Sequence, residues 1–517
     1  MKSSIIFSIL TFCLTNQLTA QSFFEGEQES ADKSYFGDFI AADGSSFYTF
    51  GAQFFGPELP TSSGAYQIRK YNIASLQLEG KKSISEFKFQ GQKTWFREII
   101  RNKSGIHVFF ESYNRSGNTK HLLHRKIDVS GFLTEPKIIA AQSVRNIDNN
   151  VFSIALSRDS SKVMVYADKE SNSSDAIPEI TVLDNELEAL WSTPLKLSSQ
   201  KERIKPMSYT VSNTGNVFLL GLTEDGRIDE RDFKNNNYLI YKISAGNSQV
   251  IQDLSQNSQL IFSGCLQADI QGQLLFFAFV GEPSNDDIKK ATVMYINQND
   301  GSLKTQENLN LSSQGSALLE NKNNLFASIA NARGLQRMSF DYFFEWSDGS
   351  VTILAEQYYQ HGFSSDQQSS LEAQNLLAIT IGKEGNLISS YLLPKSADVV
   401  AGALSNPRYY SYLAIKKNNR IHVLYNTHGD NVEKLTTGEK IEHGFGTFKM
   451  DIALIEAALS PSSGIEYSVI NHVKTMNIKK VRFLDTKSFL QINPGELIGL
   501  YMPALYTVGF SRISLTN

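Results

Sequence analysis

One local pattern recurs eight times along this chain, and it constrains the fold more than any other feature. A two-residue turn is followed at once by a short apolar or alternating strand. The pairs are Asp43-Gly44, Ser104-Gly105, Ser160-Ser161, Thr214-Gly215, Gln271-Gly272, Asp348-Gly349, Asn418-Asn419 and Pro494-Gly495. The second turn residues are spaced by 61, 56, 54, 57, 77, 70 and 76 positions. Glycine and asparagine suit such turns because a tight hairpin needs φ > 0. Each unit then adds a polar loop and another strand, at 66–71, 122–127, 180–183, 238–243, 292–296 and 376–381. Several continue through a turn into a further apolar piece, as at 128–133 and 383–387. A strand also precedes each turn pair, as at 152–156 and 412–415.

About four short strands per unit, repeated radially, describe an all-β fold, the β-propeller. Eight units predict eight blades, with seven as the second choice. The 517 residues would otherwise suggest about three domains; the repeat instead predicts one domain over 21–517. Two smaller β domains in line are the competing arrangement, but no interior linker rich in Pro, Gly or Ser separates them. The last unit runs out at 511–517 without an outer strand, and Phe23 and Phe24 are placed to supply it and close the ring. The stretch 316–337 has helical spacing in places (Leu318, Leu319, Phe326, Ile329) and reads as an insertion between blades five and six, or as an outer strand plus a long loop.

Residues 1–20 read as a secretory leader. Lys2 is the positive start, 5–14 the apolar stretch, and Leu18-Thr19-Ala20 the small-residue cleavage site. Phe12 is too bulky for Cys13 to be a lipid-bearing cysteine. Export to the periplasm, cell surface or medium follows, with Gln21 as the new N-terminus and Cys265 as the remaining thiol. No later segment has 18 consecutive apolar residues, so an integral membrane protein is not expected. With 49 Lys and Arg against 53 Asp and Glu, the net charge is −4. A near-neutral chain lacks the basic footprint of a nucleic-acid binder.

The chain carries none of the common catalytic motifs. There is no Gly-x-Ser-x-Gly elbow, no His-Glu-x-x-His and no phosphate-binding Gly-x-x-x-x-Gly-Lys loop. The sialidase Asp-box is absent, and three tryptophans are too few for a quinoprotein repeat. No cofactor and no metal are expected. His121 and His124 lie three apart on a strand and face opposite ways, so they read as surface histidines. Asp225, Asp229 and Asp232 share a loop without EF-hand spacing. His428, Asp430 and His443 share another and read as zinc ligands only if that loop folds back. Cys265, on an apolar strand, reads as a buried inert thiol.

Blade-internal loops 168–178, 222–236, 281–290, 356–374 and 427–448 are long and varied, whereas the opposite turns are short. Loops on a rigid scaffold carry function, so the long-loop face is the expected binding face. Glu356, Gln357, Tyr358 and Tyr359 are read as the start of one such loop, and Asn426, His428 and Asn431 as the start of the next. An acid, amides and aromatic faces suit a sugar or peptide. The competing reading is structural: Tyr358 and Tyr359 pack between blades, while Glu356 and Gln357 satisfy loop backbone.

Two resemblances add to this. Ser157-Arg158-Asp159-Ser160-Ser161-Lys162-Val163-Met164-Val165-Tyr166 resembles the turn-strand element of TolB-like propellers, in one blade. The segments Ser339-Phe340-Asp341-Tyr342, Ala355-Glu356-Gln357-Tyr358-Tyr359, Tyr409-Tyr410-Ser411-Tyr412-Leu413 and Ile421-His422-Val423-Leu424-Tyr425-Asn426-Thr427-His428-Gly429-Asp430-Asn431 resemble, in order, a run in uncharacterised secreted proteins of Bacteroidota. That resemblance covers about a fifth of the chain. It implies location and architecture, not a reaction. The leading expectation is a non-catalytic propeller that binds a protein or glycan through the long-loop face. Its rivals are an extracellular glycan-acting enzyme using loop carboxylates such as Glu356 and Asp430, and a structural spacer without a ligand.

Overall fold

The structure is a computed structural model. It describes residues 23–25, 29–30, 35–53, 66–84, 87–128, 133–144, 151–168, 178–195, 203–224, 237–254, 260–281, 290–310, 338–360, 371–395, 397–399, 411–437, 451–461, 464–474, 483–504 and 507–515. The leader 1–20, the insertion at 316–337, the Asp225, Asp229 and Asp232 loop and His443 lie outside these residues.

Eight antiparallel sheets follow one another along the chain, and each is a blade. Blades 1 to 7 span 35–84, 88–143, 152–194, 203–253, 260–310, 338–399 and 412–474. Blade 8 takes three strands from 483–514 and its outer strand, Phe23–Glu25, from the other end of the chain. Phe23 stands opposite Ile513, Phe24 opposite Arg512 and Glu25 opposite Ser511. The expected closure by Phe23 and Phe24 is therefore present. The ring has eight blades rather than seven. All eight turn pairs fall between the inner and second strands of their blades. Asn418 and Ser160, without the freedom of glycine, still adopt φ of 52° and 57°. Two short additions were not expected: Lys88–Phe89 extends blade 2, and Ala397–Val399 pairs with the third strand of blade 6. In blade 2 the outer strand begins only at Lys137, and Leu133 makes an isolated bridge to Ile127.

The second strands are apolar on both faces because each blade is covered on both sides. In blade 5, Leu275, Phe277 and Phe279 pack toward blade 6, while Leu274, Phe276 and Ala278 pack toward blade 4. Every one of the eight seams holds such an apolar cluster among the described residues. At the closing seam, Phe510 of blade 8 meets Tyr71 of blade 1 edge-on at 4.4 Å between ring centres. Full burial of a side chain of this size contributes roughly 1.5–3 kcal/mol, so the seams are the main source of stability.

Outer strands are unpaired edges. A bulge interrupts the pairing of the third and outer strands in each of blades 1 to 7. Bulged edges resist pairing with other chains. The inner strands present their edge amides toward the axis. Leu266 N–H donates to Ser208 Oγ at 3.0 Å, and Ala268 N–H to Thr210 Oγ1 at 3.3 Å, tying blade 5 to blade 4. Turns joining inner to second strands and third to outer strands share one face. Connections from second to third strands, and from blade to blade, share the other, the long-loop face.

Candidate functional site

The long-loop end of blades 6 and 7 holds all seven candidate residues, six of them within strands rather than at loop starts and Asn431 at the start of a short helix. The second strand of blade 6 runs over Val351–Gln360, so Glu356, Gln357, Tyr358 and Tyr359 belong to it. Tyr358 pairs with Ala373 and Tyr359 with Glu372; their side chains and that of Gln357 lie outside the described residues. In blade 7 the second strand, Arg420–His428, includes Asn426 and His428. Asn431 then opens a helix, Asn431–Thr437, which the sequence pattern did not suggest.

Glu356 is fully buried. One carboxylate oxygen is in an ion pair with Lys395 Nζ, and the other accepts from Ser411 Oγ at 2.6 Å. Lys395 and Ser411 flank the connection from blade 6 to blade 7, so Glu356 pins both ends of that connection to its own blade. A buried charge requires a partner and further hydrogen bonds, and Glu356 has both. Tyr412 and Asp341 stand beside it. Burial first, then the charges of Asp341 and Glu356, hold the Tyr412 phenol well above its ordinary range. Tyr342 is pushed up to about 12 by burial and then by Asp341. These phenols are neutral hydrogen-bonding groups at any physiological pH.

Asn426 is a second clamp. Its Nδ2 donates to Leu484 O at 2.8 Å, and its Oδ1 accepts from Leu484 N–H at 3.1 Å. The side-chain amide thus pairs with the inner-strand backbone of blade 8 as a strand neighbour would. Asn431 Nδ2 donates to Thr427 Oγ1 at 3.1 Å, fastening the helix start to the strand before it. The buried His428 accepts at Nδ1 from Asp430 N–H at 3.2 Å. Asp430 remains 55% exposed, with a carboxylate oxygen 3.4 Å from His428 Nδ1. Behind this turn, Asp451 accepts from His472 at 2.6 Å. That pair packs where a side chain at Gly429 would stand. No group of three or more His, Cys, Asp or Glu among the described residues is arranged to hold a metal ion.

The histidines of blade 2 correct the sequence reading. His124 is buried, not on the surface, and its Nε2 is 2.8 Å from Nδ1 of the fully buried His107. Asn102 Oδ1 accepts from Ser104 N–H and stands 2.9 Å from His107 Nε2, so His107 donates there. His107 Nδ1 is then an acceptor, and His124 Nε2–H donates to it. The signal was present: Leu122 and Leu123 show both faces of that strand to be buried, and His124 shares the face of Leu122. Cys265 is buried on the inner strand of blade 5 as expected, and burial pushes its thiol pKa up, so it is inert at neutral pH.

Lys395 was not singled out from the sequence. Its signal was a lone lysine directly after the apolar strand end Leu392-Leu393-Pro394.

The fold and site define an eight-bladed β-propeller whose long-loop face is braced by buried polar clamps. No known protein family's profile matches the chain, and no curated protein matches it. Among solved structures, it is similar to an oligogalacturonate lyase in complex with manganese, at 10% identity and a TM-score of 0.37, over 96% of this chain and 99% of that one. It is also similar to the β-propeller domain of the Trilobed protease from Pyrococcus furiosus, at 10% identity and a TM-score of 0.35, over 86% and 97%. A protein of unknown function from Bacteroides caccae matches at 11% identity and a TM-score of 0.25, over 65% and 94%. Likenesses of this degree carry no weight on reaction, ligand or origin.

Proposed function

We propose that this chain is an exported, non-catalytic propeller that binds a protein or glycan through its long-loop face. One observation carries the reading. Glu356, the acid on which a glycan-cleaving mechanism would rest, is sealed from solvent and bound to Lys395 and Ser411. Glu356 and Asn426 join neighbouring blades at the bases of the loops, and Asn431 fastens its helix to the strand before it, as rigid scaffolds do beneath binding loops. Asp430, exposed and 3.4 Å from the buried His428, is the ligand-facing group, and His428 positions it. No helix among the described residues is long and apolar enough to cross a membrane. Release from the leader at Ala20 would leave Phe23–Glu25 free to dock on blade 8, and a mature N-terminal mass beginning at Gln21 tests that step.

The binding test is a screen of residues 21–517 against glycan and envelope-protein arrays. Binding that is lost in folded Asp430→Ala and His428→Ala variants supports the reading. Turnover of a bound glycan that Asp430→Asn abolishes would replace it with an enzyme.

A further inference from the structure

The opposite face carries an arrangement that the blade repeat does not require. Arg158 sits in the inner turn of blade 3. Its Nη1 lies 2.9 Å from Glu345 Oε1 of blade 6 and donates to the carbonyl of Asp269 in blade 5 at 3.2 Å. Blades 3 and 6 are three places apart in the ring, so their side chains meet only across the axis.

The partners are held from several sides. Glu345 Oε1 also accepts from Gln271 N–H at 2.8 Å, and the Glu345 carbonyl accepts from Lys416 of blade 7. The Asp269 carboxylate accepts from Asn213 N–H of blade 4 at 2.7 Å and from Gln298 Nε2 at 3.3 Å. Asn213 Oδ1 in turn accepts from Asp159 N–H of blade 3 at 3.0 Å. The turns of blades 3, 4, 5 and 6 are thus chained edge to edge, and Arg158 joins the two ends of the arc. The backbone is bent to reach this state. Asp269 has φ of 59° and Gln271 has φ of 51°, both in the left-handed region without being glycine. Such conformations persist only where their surroundings hold them.

We propose that the Arg158 and Glu345 side chains, with the Asp269 carbonyl, form a bar across the short-turn mouth of the central channel that restricts entry of solutes from this end. The inference rests on the long-loop reading only for its consequence, that a ligand reaches the channel wall from the opposite end; the bar itself stands on the contacts above. Both charged side chains of the bar remain partly exposed to water, with Arg158 at 29% and Glu345 at 31%. The bar therefore opens by breaking one ion pair and one hydrogen bond rather than by unfolding a blade.

Thiol reactivity tests it without any ligand. Ala155 is half-buried on the inner strand of blade 3, three residues before Arg158. An Ala155→Cys variant of the chain from Gln21 is treated with a charged methanethiosulfonate reagent, and the parent chain, whose Cys265 is buried, gives the background. With the bar in place the reagent enters only from the long-loop end, and the expected result is a labelling rate that rises severalfold with Arg158→Ala and with Glu345→Gln. Arg158→Gln replaces the alanine variant if that one does not fold. Equal rates with and without Arg158 would overturn the proposal. Failure of the array screen would leave these rates unchanged, so the two readings fail separately.

Discussion

Acidification should weaken this propeller at the seam between blades 2 and 3, through His107 and His124. Burial lowers the His107 pKa to about 4, with Lys126 pushing it further down and Glu186 opposing. Burial lowers His124 to about 3, aided by His107, Lys137 and Lys126. The hydrogen bonds give the same direction independently: a proton on His107 Nδ1 would turn the acceptor of the His124 N–H into a second donor. The surrounding charges are the Lys126–Glu186 pair at 2.9 Å and the Lys137–Glu188 pair. Both histidines titrate near 6.5 in the unfolded chain and well below that in the fold. The unfolded state therefore binds more protons below pH 6.5, and stability is lost as pH falls from there toward 4. Two protons excluded from the folded state amount to about 4 kcal/mol between pH 7 and pH 5. That is a large part of the roughly 5–15 kcal/mol that holds a typical domain. The assay is urea unfolding followed by tryptophan fluorescence, using Trp95, Trp191 and Trp346. A His107→Gln, His124→Gln variant is weaker at pH 7 but lacks this slope, so its gap from the parent should close by about 4 kcal/mol at pH 5. A gap that stays constant with pH would refute the reasoning, because all other titrating groups are common to both chains.

Three further outcomes are expected. Lys395→Met should lower stability by about 3–5 kcal/mol by leaving a buried carboxylate unpaired, and Glu356→Met in the same chain should restore most of the loss in the same urea assay. Gly429→Ala places a methyl group 1.8 Å from Asp451 Oδ1 and 2.4 Å from His472 Nε2. Overpacking of that kind costs about 1–3 kcal/mol, and hydrogen exchange should show the loss concentrated at the end of blade 7. Removing residues 21–34 strips Phe23–Glu25 and Glu29–Ser30 from blade 8. The bared edge of Thr507–Ser514 should lower the melting temperature and promote self-association, read by calorimetry and light scattering.

The repeat was legible because its signals are local. A turn pair that needs φ > 0 and a strand that is apolar on both faces are properties of a few consecutive residues. They placed the inner turns of all eight blades, and the missing outer strand of the last unit pointed to Phe23 and Phe24. The candidate residues were found from their place at the start of long loops and from a resemblance in short local segments. Their roles were not legible, because a side chain's partner depends on register and on how the ring curves. Glu356 reads equally well as an acid in a loop or as half of an ion pair until Lys395, 39 positions away, is brought against it. His124 became a buried donor once strand register set it beside His107. Arg158 and Glu345 meet only because eight blades of this width close at a radius that two side chains can span. Sequence alone therefore determined the number of units and their order. The closed ring decided which polar groups are sealed as clamps, and which end of the channel they bar.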